Sequence, residues 1–153
     1  MKVAIVFHSY HHGNTKKVVE RMADAMGARL MAPGEADAGA LAEYDLIGFA
    51  SGIYFSRHHK SLLRLVDSLP PMKGKRAFIV STAGRGDAWT ERNHRALKGK
   101  LAGKGFDTVG EFACLAWDTF FLLWLIGGIN RGRPDEGDLE RAEGFAMSLS
   151  KGG

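Results

Sequence analysis

The sequence predicts an α/β fold built on an open parallel β-sheet. Val3–Phe7 is a continuous apolar run, as expected of a central parallel strand buried on both faces. Apolar, β-rich runs then alternate with amphipathic stretches along the chain, and no obvious hairpin turn joins consecutive runs. That alternation implies right-handed crossovers and a parallel sheet.

The elements follow in order. After Val3–Phe7, a helix is expected from Thr15 to Met26, burying Val18, Val19, Met22 and Met26 on one face. Ala28–Ala32 is a short second strand, ended by Pro33 and Gly34, and Tyr44–Ala50 is the third. Ser61–Leu69 is a helix with Leu62, Leu65, Val66 and Leu69 on one stripe, stopped by Pro70 and Pro71. Arg76–Ser81 is the fourth strand, Glu91–Ala102 the next helix and Phe106–Leu115 the fifth strand. Asp138–Leu149 closes the chain as a helix, with Asp138 as its N-cap and Leu139, Ala142, Phe145, Ala146 and Leu149 inward. No repeat, linker or low-complexity tract interrupts the pattern, so residues 1–153 read as one domain.

Composition excludes several classes. With 45% hydrophobic and 25% charged residues, the chain has the make-up of a soluble globular protein. Cys114 is the single cysteine, so no internal disulfide or thiolate cluster forms within this chain. The N-terminal apolar run is too short for a signal peptide. The longest candidate stretch later on, Phe120 to Ile126, is seven residues, against the ~18 or more needed to span a bilayer. A cytoplasmic protein without a transmembrane segment is expected. The net charge of +4 and pI of about 9.3 raise a nucleic-acid partner. The basic residues are scattered, however, and Lys98, Lys100 and Lys104 fall at the spacing of a solvated helix face, so no nucleic acid is expected.

In open parallel sheets, ligands sit beyond the carboxyl ends of the strands. The loop after the first strand reads His8-Ser9-Tyr10-His11-His12-Gly13-Asn14-Thr15 and runs into a helix. Hydroxyls, a glycine and free amides at a helix N-terminus suit a phosphate, because the amides point outward and the helix dipole favours negative charge. The loop carries neither the nucleoside-triphosphatase pattern nor the dinucleotide glycine fingerprint. A plain polar turn with Thr15 as a helix cap is the alternative. Lys16 and Lys17 fall on the helix surface. In the loop after the third strand, Ser51, Gly52, Ile53, Tyr54 and Phe55 offer a small-residue backbone and an apolar wall; covering the sheet end is the simpler role. After the fourth strand, Thr82, Ala83 and Gly84 allow close approach of backbone to a ligand. Trp89 either joins a site there or begins the next helix.

These loops resemble those of the flavodoxin family. Its phosphate loop has a hydroxyl residue after the first strand and Gly-x-Thr at the helix start, matched by Ser9 and Gly13-Asn14-Thr15. Small flavodoxin-like proteins of anaerobic bacteria and archaea also share segments like Gly52-Ile53-Tyr54-Phe55 and Leu125-Ile126-Gly127-Gly128. The resemblance covers essentially the whole chain. It implies a three-layer sandwich whose five-stranded parallel sheet has the order 2-1-3-4-5. It further implies FMN as cofactor, held by Ser9, His11, His12, Gly13, Asn14 and Thr15 at the phosphate. Ser51, Gly52, Ile53, Tyr54 and Phe55 would line the N5 edge of the ring, with Gly52 as the peptide that reorients on reduction. Thr82, Ala83 and Gly84 would meet the pyrimidine side, and Trp117 completes the set. No catalytic residue and no metal site are expected.

The function so implied is electron transfer between redox partners, with an FMN-dependent NAD(P)H:quinone oxidoreductase as the alternative. A flavodoxin-shaped interaction module without FMN is a third class, against which the intact phosphate loop argues. Arg57, His58, His59, Lys60 and Arg85 place positive charge near the ring, which favours acidic partners and eases full reduction of the flavin. The apolar segment Phe120–Ile126 is either core or a surface for a partner or a second copy.

Overall fold

The computed structural model describes residues 1–9, 13–84, 89–116, 128 and 130–152. Strand β1 (Val3–His8) leads into α1 (Asn14–Met26), and β2 (Arg29–Met31) is followed by a single 3-10 turn at Pro33–Glu35 and the short helix α2 (Ala38–Leu41). Then come β3 (Leu46–Tyr54), the two-residue β4 (Arg57–His58), α3 (Lys60–Ser68), β5 (Arg76–Ala83), α4 (Thr90–Gly103), β6 (Asp107–Leu115) and α5 (Glu136–Lys151). The parallel strands lie in the order β2-β1-β3-β5-β6, and β4 pairs antiparallel with β3 alone. With that small extra strand set aside, the order is the expected 2-1-3-4-5.

Two apolar layers sandwich the sheet. On one face Val18, Val19 and Met22 of α1 and Ala142, Ala146 and Leu149 of α5 pack on Ile5, Phe78 and Val80. On the other face Leu62, Leu65 and Val66 of α3 and Leu97 and Leu101 of α4 pack on Val6, Phe49 and Ile79. The helical stripes read from the sequence therefore face the sheet, and they fix which helix N-terminus lies beside which strand end. At Gly48 a Cβ would run into the Phe78 ring. Gly48→Ala should cost about 1–3 kcal/mol, the usual penalty for overpacking a tight core. Urea unfolding checks it, and adding Phe78→Leu to relieve the clash should recover part of the loss.

Three features differ from expectation. The third strand does not end at Ala50 but continues to Tyr54 and turns back through a hairpin into β4. Phe55 and Ser56 form that turn with φ of 51° and 62°, left-handed values that hairpin turns require and that asparagine or glycine normally supply. Without those residue types the turn left no trace in the sequence. Second, Asp138 is not the N-cap of the last helix. Asp135 is, in a reciprocal capping box with Asp138 three residues on. Asp138 is buried and receives hydrogen bonds from Arg133 and Arg141. Its burial would raise the carboxyl pKa, but Arg133, the Asp135 amide and Arg141 hold it well below the usual range. Third, the turn and helix α2 between β2 and β3 are additional elements. Among the basic residues, Lys98 pairs with Glu111 and Lys100 with Asp67, so these cations are locally compensated. The segment Phe120–Ile126 lies outside the described residues.

Candidate functional site

The carboxyl ends of β1, β3 and β5 meet at one edge of the sheet. There α1 opens with Gly13 as N-cap, in the left-handed conformation at φ 64°, a residue with no side chain to cap the helix. Only glycine adopts that angle without steric cost, which explains Gly13 in the loop. The Ser9 hydroxyl reaches back to accept from the Lys16 amide at 3.2 Å. Thr15 is not the cap but the second helical residue, and it is buried. Its hydroxyl shares a 2.8 Å hydrogen bond with that of Thr82 at the end of β5. Ser9, Gly13, Asn14, Thr15 and Thr82 are thus brought together at one helix N-terminus. Lys16 and Lys17 point outward, Lys16 toward Glu20 at 3.9 Å. His11 and His12 lie outside the described residues.

The β3–β4 hairpin stands beside this cradle. Ser51 is fully buried; its hydroxyl donates to the Gly52 carbonyl at 2.6 Å and accepts from the His59 amide at 2.9 Å. Gly52 lies within β3, paired with Thr82 of β5, and Ile53 and Tyr54 pair with His58 and Arg57. The segment is a braced ribbon where a loop was expected. Phe55 projects from its tip, 88% exposed. Across from it, Ala83 accepts from the Ala116 amide at 2.8 Å and Gly84 from the Asn130 side chain at 2.7 Å. Asn130 had no signal in the sequence. Trp89 sits at the N-cap of α4 with the Arg92 guanidinium 5.0 Å over its ring, the second of the two expected roles. Trp117 and Arg85 lie outside the described residues.

Behind the edge lies a polar network. His94 of α4 is fully buried, bonded to the Ser81 hydroxyl at 2.7 Å and to the Glu111 carboxylate at 3.1 Å, which Lys98 meets at 2.7 Å. Burial lowers the His94 pKa despite Glu111. Burial alone would raise that of Glu111, but hydrogen bonds from Lys98 and His94 bring it down. His58 is buried beside His94, ring centroids 5.1 Å apart, with Nε2 3.0 Å from the Val80 carbonyl. A carbonyl only accepts, so Nε2 carries the proton. Burial first, and then His94, push His58 down to about 3 against the pull of the Val80 and Asn93 carbonyls and Glu111. The expectation that His58 and His59 add positive charge is therefore corrected: burial lowers His59 too, helped by His8, Lys60 and Arg64. Among the described residues the cations on this side are Arg57, Lys60 and Arg64.

A flavodoxin-domain family model matches residues 5–115. The chain belongs to the flavodoxin family. Protein MJ0298 of Methanocaldococcus jannaschii is 40% identical over 151 residues, 99% of each chain. Among solved flavodoxins, one from Streptococcus pneumoniae superposes with a TM-score of 0.73 at 18% identity, covering 100% of both chains. One from the domain Archaea gives 0.71 at 14% identity, covering 99% of this chain and 98% of that one. At those identities the solved flavodoxins share the fold. Within this flavodoxin domain the Gly13–Thr15 cradle fits a terminal phosphate: a helix start opened by glycine turns amide donors outward, and the buried Thr15–Thr82 pair keeps one O–H to donate.

Proposed function

We propose that the protein binds FMN at this edge and passes electrons between redox partners. The observation that carries the proposal is the glycine-capped start of α1, shaped by left-handed Gly13 and flanked by the buried Thr15–Thr82 hydroxyl pair. Ser9, Asn14 and the amides of the first helical turn would share the phosphate, with His11 and His12 from the same loop. Ser51, Gly52, Ile53, Tyr54 and Phe55 of the hairpin would line one side of the ring, and Thr82, Ala83, Gly84 and Trp117 the other. When bound, FMN supplies the one- and two-electron chemistry; the protein binds it, orients it and sets its electrostatics.

No helix among the described residues is long and apolar enough to cross a membrane, and a cytoplasmic setting with protein redox partners is part of the same proposal. Arg57, Lys60 and Arg64, exposed near the hairpin, favour partners with acidic docking surfaces. Phe120–Ile126 is proposed as a contact for such a partner or for a second copy of the chain. Thr15→Val tests the cradle: it should weaken FMN binding by about 1.5–3 kcal/mol, the range for a hydrogen bond to a charged group. Flavin fluorescence titration measures it, and an unchanged Kd would confine Thr15 to packing.

A further inference from the structure

We propose that His8 takes up one proton when bound FMN is fully reduced, so that a side chain of the ring's own groove compensates the charge the ring gains. This rests on the FMN reading above, with the ring held by the hairpin. The groove the hairpin offers, of about 740 Å³, is lined by Tyr54 and Phe55, which that reading gives to the ring, and by His8 and His59.

Hydrogen bonding decides which of the two histidines is available. His8 ends β1 and His59 caps α3, and their rings stack at 3.6 Å, nearly parallel at 7°. Nδ1 of His59 accepts from the Ser61 amide at 3.1 Å and lies 2.8 Å from the Ser61 hydroxyl. An amide only donates, so this nitrogen is bare and Nε2 carries the proton of the neutral ring. A proton added to His59 would have to enter at Nδ1, which would strip α3 of its N-cap. Among the described residues no hydrogen bond reaches the ring of His8. Its lone pair accepts a proton without the loss of any contact. Two charged imidazoles would repel strongly at this separation, so the pair holds one proton at most.

The surroundings make that uptake conditional on the charge of the ring. Facing the pair are Tyr54 of β3, Arg57 and His58 of β4, and Lys60 and Arg64 of α3. No carboxylate stands among these groups, and His58 is buried and neutral near neutral pH. Burial lowers the pKa of His8, and burial with His8, Lys60 and Arg64 lowers that of His59. The pair is therefore uncharged beside an oxidised, uncharged ring. Two electrons from a low-potential donor and one proton from solvent convert that ring to a singly negative one. The negative charge the groove lacked is then present. An opposite charge within about 4–6 Å raises the proton affinity of a base by roughly ten- to a thousandfold. A second proton from solvent bonds to the bare ring nitrogen of His8, and the groove as a whole gains no net charge.

The test uses the FMN-loaded protein labelled with nitrogen-15 in its histidines, read at neutral pH before and after reduction with dithionite. The two ring nitrogens of His8 should move from the split resonances of a neutral imidazole to the merged ones of an imidazolium, while those of His59 stay split. In potentiometry around neutral pH, the constant for two-electron reduction should fall about a hundredfold per pH unit, against about tenfold where the ring alone takes a proton. His8→Phe keeps a flat ring on His59 and should return the dependence to about tenfold; His59→Phe should leave it at the parent's value. Unmoved His8 resonances on reduction would overturn the proposal. So would a His8→Phe protein with the parent's pH dependence, since the second proton would then reside on the flavin. A protein that binds no FMN would overturn the reading beneath the proposal as well, and flavin titration alone reveals that; bound FMN with an unresponsive His8 overturns only the proton uptake.

Discussion

Lowering the pH from 7 to 5 should destabilise the fold by about 2 kcal/mol through His58 alone. The ring is buried with its folded-state pKa near 3, against about 6.5 when the chain is unfolded. Between those values the unfolded chain binds a proton that the folded chain refuses. Each pH unit there removes up to ~1.4 kcal/mol of stability. The sign is fixed by the depressed pKa: the contribution is fully present above about pH 7 and is lost as pH falls toward 3. His94, whose pKa burial also lowers, acts in the same direction. Urea unfolding at the two pH values measures the slope, and the window stays above the range where most carboxylates titrate. His58→Gln can keep a donor toward the Val80 carbonyl while removing the titration, so its stability should depend on pH less steeply than the parent's. Identical slopes would show that His58 does not carry the effect.

The layered architecture was readable because each helix buries one apolar stripe and each central strand carries a run of apolar residues. Val18, Val19 and Met22 or Leu62, Leu65 and Val66 announce their faces by spacing alone. The hairpin was not readable, because Phe55 and Ser56 adopt left-handed angles with none of the usual turn residues. That had consequences for the site: Gly52, expected in a pliant loop, is held in strand pairing with its carbonyl engaged by Ser51. The histidine network was hidden for a different reason. His58, His94, Ser81 and Glu111 come from four separate elements, and only tertiary packing makes them neighbours. Two adjacent histidines, His58 and His59, read alike in sequence, yet one is sealed in the core and the other stacks on His8.

Their neutrality also revises the electrostatics around the proposed flavin. Of the basic cluster after the third strand, Arg57 and Lys60 are left as the cationic side chains, and both are exposed. Their attraction for a reduced, anionic ring is screened by water and salt. The phosphate end offers the sharper test, because donors at a helix start meet a full negative charge.

Comparing the equilibrium affinities of FMN and riboflavin, which differ only in the phosphate, is the most direct measurement. If α1 receives the phosphate, two or more charge-assisted hydrogen bonds separate the ligands. At about 1.5–3 kcal/mol each, FMN should bind at least about a hundredfold tighter. Equal affinity for the two would contradict a phosphate site at Gly13–Thr15 and, with it, the assignment of this edge to FMN.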